Sequence, residues 1–204
     1  RKDLEFVMEN DFDWVALSFV RAAKDIIELR EILKANNCTA KIVAKVEKPQ
    51  AVDNIDEIIA ATDAIMVARG DLGVEMPMEQ VPVIQKRIVT KCLEASKPVI
   101  IATQMMESMI TSPTPTRAEA NDIANAVMDG ADAVMLSAET SVGDYPLKAV
   151  QAVEKILGST ELGWDIYNKI KKPDPSSPSF VSDRICYATV SMSDGISAKA
   201  IISM

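Results

Sequence analysis

The 204-residue sequence contains no histidine. That absence excludes His-dependent catalytic triads within the chain and the usual His-containing zinc sites. Acid–base or metal chemistry therefore falls to Lys, Asp, Glu, Thr or Ser. Cysteine is scarce: Cys38, Cys92 and Cys186 are odd in number, far apart and without CxxC spacing. This predicts buried thiols in a reducing cytoplasm rather than disulfides or a thiol nucleophile. No apolar run reaches membrane-spanning length, and Arg1-Lys2-Asp3 does not open a signal peptide. Positive charge is in deficit, with a net charge of −8. A nucleic-acid groove needs clustered Lys and Arg, so that class is disfavoured, whereas an enzyme with a few local basic residues for anionic substrates is not. With 48% hydrophobic, 25% charged and only 4% aromatic residues, the chain has a soluble globular composition, with room for one domain and part of another.

The segments that are present alternate. Trp14–Phe19, Ala40–Glu47, Asp63–Ala68, Pro98–Thr103 and Ala133–Ser137 read as strands. Between and after them come helical patterns: one with Ile26, Leu29 and Leu33 in line, one opening at Pro49 and running through Ile55 and Ile59, and one over Val81–Leu93. Two more cover Glu119–Met128, ended by Gly130, and Pro146 to about Leu157. The strands show almost no polar alternation, so both their faces are buried, as in parallel α/β sheets. Five such units predict part of a (β/α)8 barrel, which needs about 250 residues when complete. The alternative is an open doubly wound sheet, and the lack of a strong glycine-rich dinucleotide loop counts against it. Residues 1–170 are thus expected to be the C-terminal part of a barrel and 171–179 a Pro/Ser-rich linker. Residues 180–204, with a helix over Asp183–Met192 and a strand over Ala200–Met204, are expected to start a second α/β domain. The chain is expected to be cut at both ends.

Active sites of such barrels lie where the strands end. Lys45 and Glu47 sit two positions apart at one strand end and point to the same side. Asp71 follows the third strand, Thr103 ends the fourth and Glu139 follows the fifth. Taken singly, each has a plain explanation: a solvated strand end for Lys45 and Glu47, a helix N-cap for Asp71, an ordinary strand threonine, a loop glutamate. Their convergence on one rim is the stronger observation. The run Ala68-Arg-Gly-Asp-Leu-Gly73 adds a tight turn whose amides could hold an anion, although a simple βα turn would look the same. A carboxylate beside an anion needs a cation, and Mg²⁺ takes one or two carboxylates plus substrate oxygens.

Several segments resemble those of pyruvate kinases in order and spacing. They are Ala44-Lys-Val-Glu47, Ile65-Met-Val-Ala-Arg-Gly-Asp-Leu-Gly73, Ala102-Thr-Gln-Met-Met-Glu-Ser-Met109, Pro115-Thr-Arg-Ala-Glu119, Asp129-Gly-Ala-Asp132 and Met135-Leu-Ser-Ala-Glu-Thr140 with Gly143-Asp-Tyr-Pro146. The resemblance covers about Asp13 to Ile156. It implies phosphoryl transfer from phosphoenolpyruvate to ADP, giving pyruvate and ATP. By resemblance, Glu47 and Asp71 would bind Mg²⁺ (or Mn²⁺) and Lys45 would stabilise the phosphoryl group in flight. The amides of Gly70 and Asp71 would hold the substrate carboxylate, and Thr103 would bind substrate beside the carbon that is protonated. Arg69, Ser137 and Glu139 would support these residues from behind. Arg117 would reach a neighbouring subunit, in a family whose members are cytoplasmic homotetramers. The family's K⁺ ligands, an essential arginine, the lid domain and the effector site are not in this sequence, so the chain alone is expected to be inactive.

Two departures stand out: Ala138 replaces the family's usual glycine, and Met106 stands where leucine is common. The first is tolerable unless φ there is positive, and the second conserves volume. Two competing readings are another Mg²⁺-dependent barrel acting on an enolate, such as an aldolase or phosphoenolpyruvate mutase relative, and a non-catalytic remnant that only associates with other subunits.

Overall fold

A computed structural model describes residues 2–164, 173–198 and 200–202. The chain divides into two compact units, Arg1–Thr160 and Glu161–Met204. The elements in order are α1 (Lys2–Glu9), β1 (Trp14–Leu17), α2 (Ala23–Ala35), β2 (Lys41–Val46), α3 (Pro49–Asp53), α4 (Ile55–Ala61), β3 (Ala64–Ala68), α5 (Arg69–Glu75) and α6 (Val81–Glu94). They continue with β4 (Val99–Ala102), α7 (Arg117–Asp129), β5 (Ala133–Met135), α8 (Ala138–Ser141), α9 (Pro146–Gly163) and α10 (Phe180–Gly195). Among the described residues, no helix is long and apolar enough to cross a membrane.

The strands form one five-stranded sheet in the order β1-β2-β3-β4-β5, and every neighbouring pair is parallel. Spatial order equals chain order. A doubly wound sheet reverses its order at a switch point, so this winding is that of a (β/α)8 barrel segment. Strand alternation sorts the side chains into two layers. Ile42, Ala44, Val46, Ile65, Val67, Val99 and Ile101 face the helices and pack with Ile26, Leu33, Ile58, Ile88 and Ile123. Each such fully buried aliphatic side chain contributes about 1.5–3 kcal/mol. The other parity gives a smaller cluster on the inner side, where Val43, Ala64, Met66 and Ala102 meet Ile100 and Met135. Lys45 shares the parity of Val43, so the sheet directs it inward.

Several boundaries differ from those expected. The helix opening at Pro49 breaks at Asn54 (φ −98°, ψ 20°) into α3 and α4. The Asn54 Nδ2 donates to the Arg21 carbonyl at 2.9 Å, so the side chain is engaged by the loop after β1. Strand β1 stops at Leu17, because Phe19 adopts φ 57° and leaves the extended region. Helix α7 starts two residues earlier than expected, at a capping box between Thr116 and Glu119, and ends at the left-handed Gly130 (φ 103°). Ala200–Ile202 are not in a strand, having no ladder partner among the described residues, and Ser203 and Met204 lie outside those residues. So do 171–172 of the linker and 165–170 at the end of the expected barrel segment; 173–179 form turns.

The strands are clasped at their N-terminal edge by a device that occurs twice. Ile42 N–H donates to Asp63 Oδ2 at 2.8 Å while Asp63 N–H returns a bond to the Ile42 carbonyl at 3.1 Å. Val99 and Asp132 repeat this, at 2.8 and 3.0 Å. Each aspartate immediately precedes a strand and locks its neighbour. Arg30 adds an ion pair to Asp63 at 3.0 Å. Burial raises the Asp63 pKa, but the Ile42 N–H, Arg30 and Lys97 outweigh it and hold the carboxyl below 3.8. A depressed carboxylate stabilises the fold above its unfolded-state pKa, and this is lost as pH falls through the folded-state value. Asp63→Asn is therefore expected to lose about 1–3 kcal/mol at neutral pH in urea denaturation. The gap to the parent should shrink as pH falls below 3.8; a pH-independent gap would contradict this account of the clasp.

Candidate active site at the strand ends

The opposite, C-terminal edge gathers the residues singled out by sequence. Glu47 is 1% exposed although it carries a carboxylate. Burying such a group requires compensation from a partner charge and hydrogen bonds. Glu47 has both: Lys45 Nζ lies 2.5 Å from Oε1, and the Phe19 N–H donates to Oε2 at 2.6 Å. Lys45 Nζ also donates to Ser18 Oγ at 3.1 Å. Two consecutive residues after β1 thus hold Lys45 in β2 and Glu47 just after it. Lys48, next along, pairs with Glu75 of α5 at 2.5 Å and lies 5.5 Å from the Phe19 ring centroid.

On the neighbouring strand end, Asp71 lies in the first turn of α5. It is exposed, and its carboxylate makes no hydrogen bond or ion pair among the described residues. The register pairs Lys45 with Met66 and Val46 with Val67, so Glu47 leaves β2 opposite the end of the adjacent β3, and Asp71 follows three residues after that end, in α5. Among the described residues, no three or more His, Cys, Asp or Glu cluster tightly enough to form a metal cage. Two carboxylates without further protein donors fit a hard cation whose remaining ligands are substrate oxygens and water.

Thr103 and Gln104 end β4 with φ of 71° and 54°. Left-handed backbone is uncommon outside glycine and costs about 1–3 kcal/mol at such sites. Arg69 holds the kink in place. Its guanidinium donates to the Thr103 carbonyl at 2.7 Å and the Gln104 carbonyl at 3.3 Å, and forks onto both oxygens of Asp122 in α7 at 2.7 and 2.8 Å. The Thr103 hydroxyl accepts from the Gly70 N–H at 2.7 Å and donates to the Ala102 carbonyl at 2.6 Å. A Cβ added to Gly70 would sit 3.3 Å from that hydroxyl oxygen, so a side chain there would crowd it. The Gly70 amide is therefore engaged by Thr103 in this structure.

Glu139 is 3% exposed and acts as a brace. Its Oε1 accepts from Met106 N–H at 3.1 Å and its Oε2 from Ser137 N–H at 2.7 Å, tying the loop after β4 to the loop after β5. Ala138 opens α8 and is not among the residues with positive φ, so the methyl is accommodated. Met106 is fully buried, as a leucine substitute should be. Arg117 is exposed at the start of α7.

The cysteines divide differently from expectation. Cys92 is buried, Cys38 half-buried and Cys186 exposed. Burial, with the field of Asp132, pushes the Cys92 thiol up to about 12 and makes it inert. Sequence reasoning did not single out Ser18 or Phe19. Their roles depend on a backbone reversal that residue identity does not announce, since a phenylalanine with positive φ is rare.

Comparison with known proteins agrees with this architecture. The family model described as "Pyruvate kinase, barrel domain" matches residues 1–150. A pyruvate kinase of Agrobacterium vitis is 57% identical over 161 residues, covering 79% of this chain and 33% of that protein. One from Clostridium perfringens is 45% identical over 207 residues, covering 100% of this chain and 44% of the relative. A third, from Mycobacterium intracellulare, is 47% identical across 99% of the chain and 42% of its own length. The chain thus spans between a third and under half of these relatives. With its singly wound parallel sheet and its residues 1–150 matching the barrel model, this chain belongs to the pyruvate kinase family.

Proposed function

We propose that this chain carries the phosphoryl-transfer side of a pyruvate kinase active site. The reaction moves the phosphoryl group from the enol oxygen of phosphoenolpyruvate to a β-phosphate oxygen of ADP, giving ATP and the enolate of pyruvate. The enolate then gains a proton at carbon. The observation that carries this reading is the ion pair between half-buried Lys45 and buried Glu47 at the end of β2, together with the Asp71 carboxylate in the first turn of α5 after the adjacent β3, which has no partner among the described residues.

Phosphoryl transfer calls on a protein mainly for positioning and charge neutralisation. Lys45 suits the second task, because its ammonium stands on a rigid strand and is held by Ser18 and Glu47 rather than free to wander. Glu47 and Asp71 would hold Mg²⁺ or Mn²⁺, which when bound supplies positive charge to the oxygens of the phosphoryl group. Such a cation competes with the Lys45 ammonium for Glu47, and so would direct Lys45 toward the substrate. The Gly70 N–H and Thr103 hydroxyl form a linked pair. A substrate carboxylate accepting from the Gly70 and Asp71 amides would take that N–H away from Thr103 and leave its hydroxyl free to face the substrate carbon through a water relay. Arg69 and Glu139 keep the loops that carry these groups in register, and Ser137 anchors one end of the Glu139 brace.

The intact enzyme is proposed to be a cytoplasmic homotetramer with no membrane or nucleic-acid partner, whose K⁺ is held by residues outside this chain. Arg117, exposed at the start of α7, would reach a neighbouring subunit. The cleft of about 660 Å³ beside Gly70, between α5, α6 and α7, is a surface suited to receiving it.

In a full-length polypeptide containing this chain, Lys45→Met is expected to lower kcat by roughly three orders of magnitude with a modest change in KM, since its charge matters most in the transition state. Glu47→Gln and Asp71→Asn should each raise the Mg²⁺ concentration needed for half-maximal rate. Near-normal kcat in the first variant, with unchanged Mg²⁺ titrations in the others, would remove these residues from the reaction.

The 204-residue chain by itself is expected to show no turnover in a coupled pyruvate assay with excess Mg²⁺, K⁺ and ADP. Among the described residues β1 and β5 each pair on one side only, so light scattering should report self-association through these edges. A monodisperse monomer that turns over would contradict both expectations.

A further inference from the structure

We propose that the Ser18–Phe19 turn is the positioning element of the Lys45–Glu47 pair, with the left-handed backbone of Phe19 fixing which oxygen of Glu47 is left available to a divalent cation. This rests on the reading of Glu47 as a ligand of such a cation.

Phe19 has φ 57°, where an L side chain crowds its own backbone and a phenylalanine is seldom found. Burial of the ring does not account for it, because the residue is 59% exposed and its ring interaction is with Lys48 Nζ at 5.5 Å. The next residue, Val20, is fully buried, yet the chain could have reached it through an extended link. With Leu17 held in the β1–β2 ladder and Val20 buried on the other side, turning the Ser18–Phe19 peptide plane changes ψ of Ser18 and φ of Phe19 together, so the positive φ goes with one direction of the Phe19 N–H. In an extended strand that group lies in the plane of the sheet. In the left-handed turn it meets Glu47 Oε2 at 2.6 Å, on the inner side of the sheet. This is a charge-assisted bond, among the strongest a backbone amide can make.

The consequence is an ordered division of the carboxylate. Oε2 is committed to the Phe19 amide, and Oε1 faces Lys45 at 2.5 Å. A divalent cation would therefore compete for Oε1 with an ammonium and not with a backbone donor. Ser18 Oγ, one residue earlier on the same turn, accepts from Lys45 at 3.1 Å. It offers the ammonium a second anchor once Glu47 turns to the cation. One turn thus places both charges, and Phe19 acts through its backbone rather than its ring.

The test uses a full-length polypeptide containing this chain, with Mn²⁺ alone as the probe, read as free Mn²⁺ by electron paramagnetic resonance. Phe19→Val, Phe19→Gly and Phe19→Asn all lose the ring and its contact with Lys48. Glycine and asparagine accept positive φ, whereas β-branched valine resists it. Phe19→Val should bind Mn²⁺ about tenfold more weakly (about 1.4 kcal/mol), while the glycine and asparagine variants should stay within about twofold of the parent. If Phe19→Val does not fold, as judged by its melting curve, Phe19→Ala takes its place, being smaller but also disfavoured in this region. Equal losses in the valine and glycine variants would assign the effect to the ring and overturn the proposal. Unchanged binding in every Phe19 variant, with Glu47→Gln weakened, would also overturn it while leaving the cation site standing. Unchanged binding in Glu47→Gln as well would overturn the underlying reading of the site.

Discussion

A carboxylate taken almost wholly out of water has to be compensated in place, and Glu47 imposes that requirement on the active edge of this sheet. Its two oxygens need two donors. One is the ammonium of Lys45, two residues back on the same inner face, and the other is the Phe19 amide in the turn after β1. Meeting the second demand forces β1 to stop at Leu17 and reverse at Phe19. The geometry of one strand end is thus set by the charge on another. Removing either partner alone would leave a buried charge uncompensated, which typically costs about 3–5 kcal/mol.

The same logic recurs along this edge. At β4 the left-handed Thr103–Gln104 turn is held by the Arg69 guanidinium, which is itself oriented by Asp122. At β5 a buried Glu139 collects two backbone amides from two loops. Buried charge is concentrated here, in Glu47 and Glu139 at the ends of β2 and β5. The N-terminal edge is different in kind. There Asp63 and Asp132 clasp neighbouring strands through reciprocal hydrogen bonds, and the positive-φ residues Asn37, Ser96 and Gly130 only end the helices that lead into β2, β4 and β5. One edge carries the clasps and the other gathers the candidate site residues, the division expected of barrels.

Much of this was legible in the sequence for a physical reason. Strands buried on both faces leave nearly continuous apolar runs, so all five strands, their parallel arrangement and the helices between them followed from hydrophobic pattern. Lys45, Glu47, Asp71 and Thr103 could be placed on one edge because strand parity and strand ends are sequence properties. The break at Asn54, the kink at Phe19 and the engagement of the Gly70 amide by Thr103 were not legible. Each depends on a partner far away in sequence: Arg21, Glu47 and the end of β4 respectively. The repeated clasp left a trace in Asp63-Ala-Ile-Met-Val67 and Asp132-Ala-Val-Met-Leu136, which comparing the two strand starts would have exposed. Helix α1 left only a short mixed pattern, too brief to stand out from a polar terminus.

The central claim is that the Lys45–Glu47 pair is a resting arrangement that opens when cation and substrate arrive, while the Phe19 amide stays on Glu47. The most direct measurement is a crystal structure of a full-length polypeptide containing this chain, with Mn²⁺ and phosphoenolpyruvate bound and ADP withheld. The account predicts anomalous density for the metal against Glu47 and Asp71, the Lys45 ammonium moved from Oε1 to a phosphoryl oxygen, and the Phe19–Oε2 bond unchanged. Metal bound elsewhere, with the Lys45–Glu47 pair still closed, would contradict it.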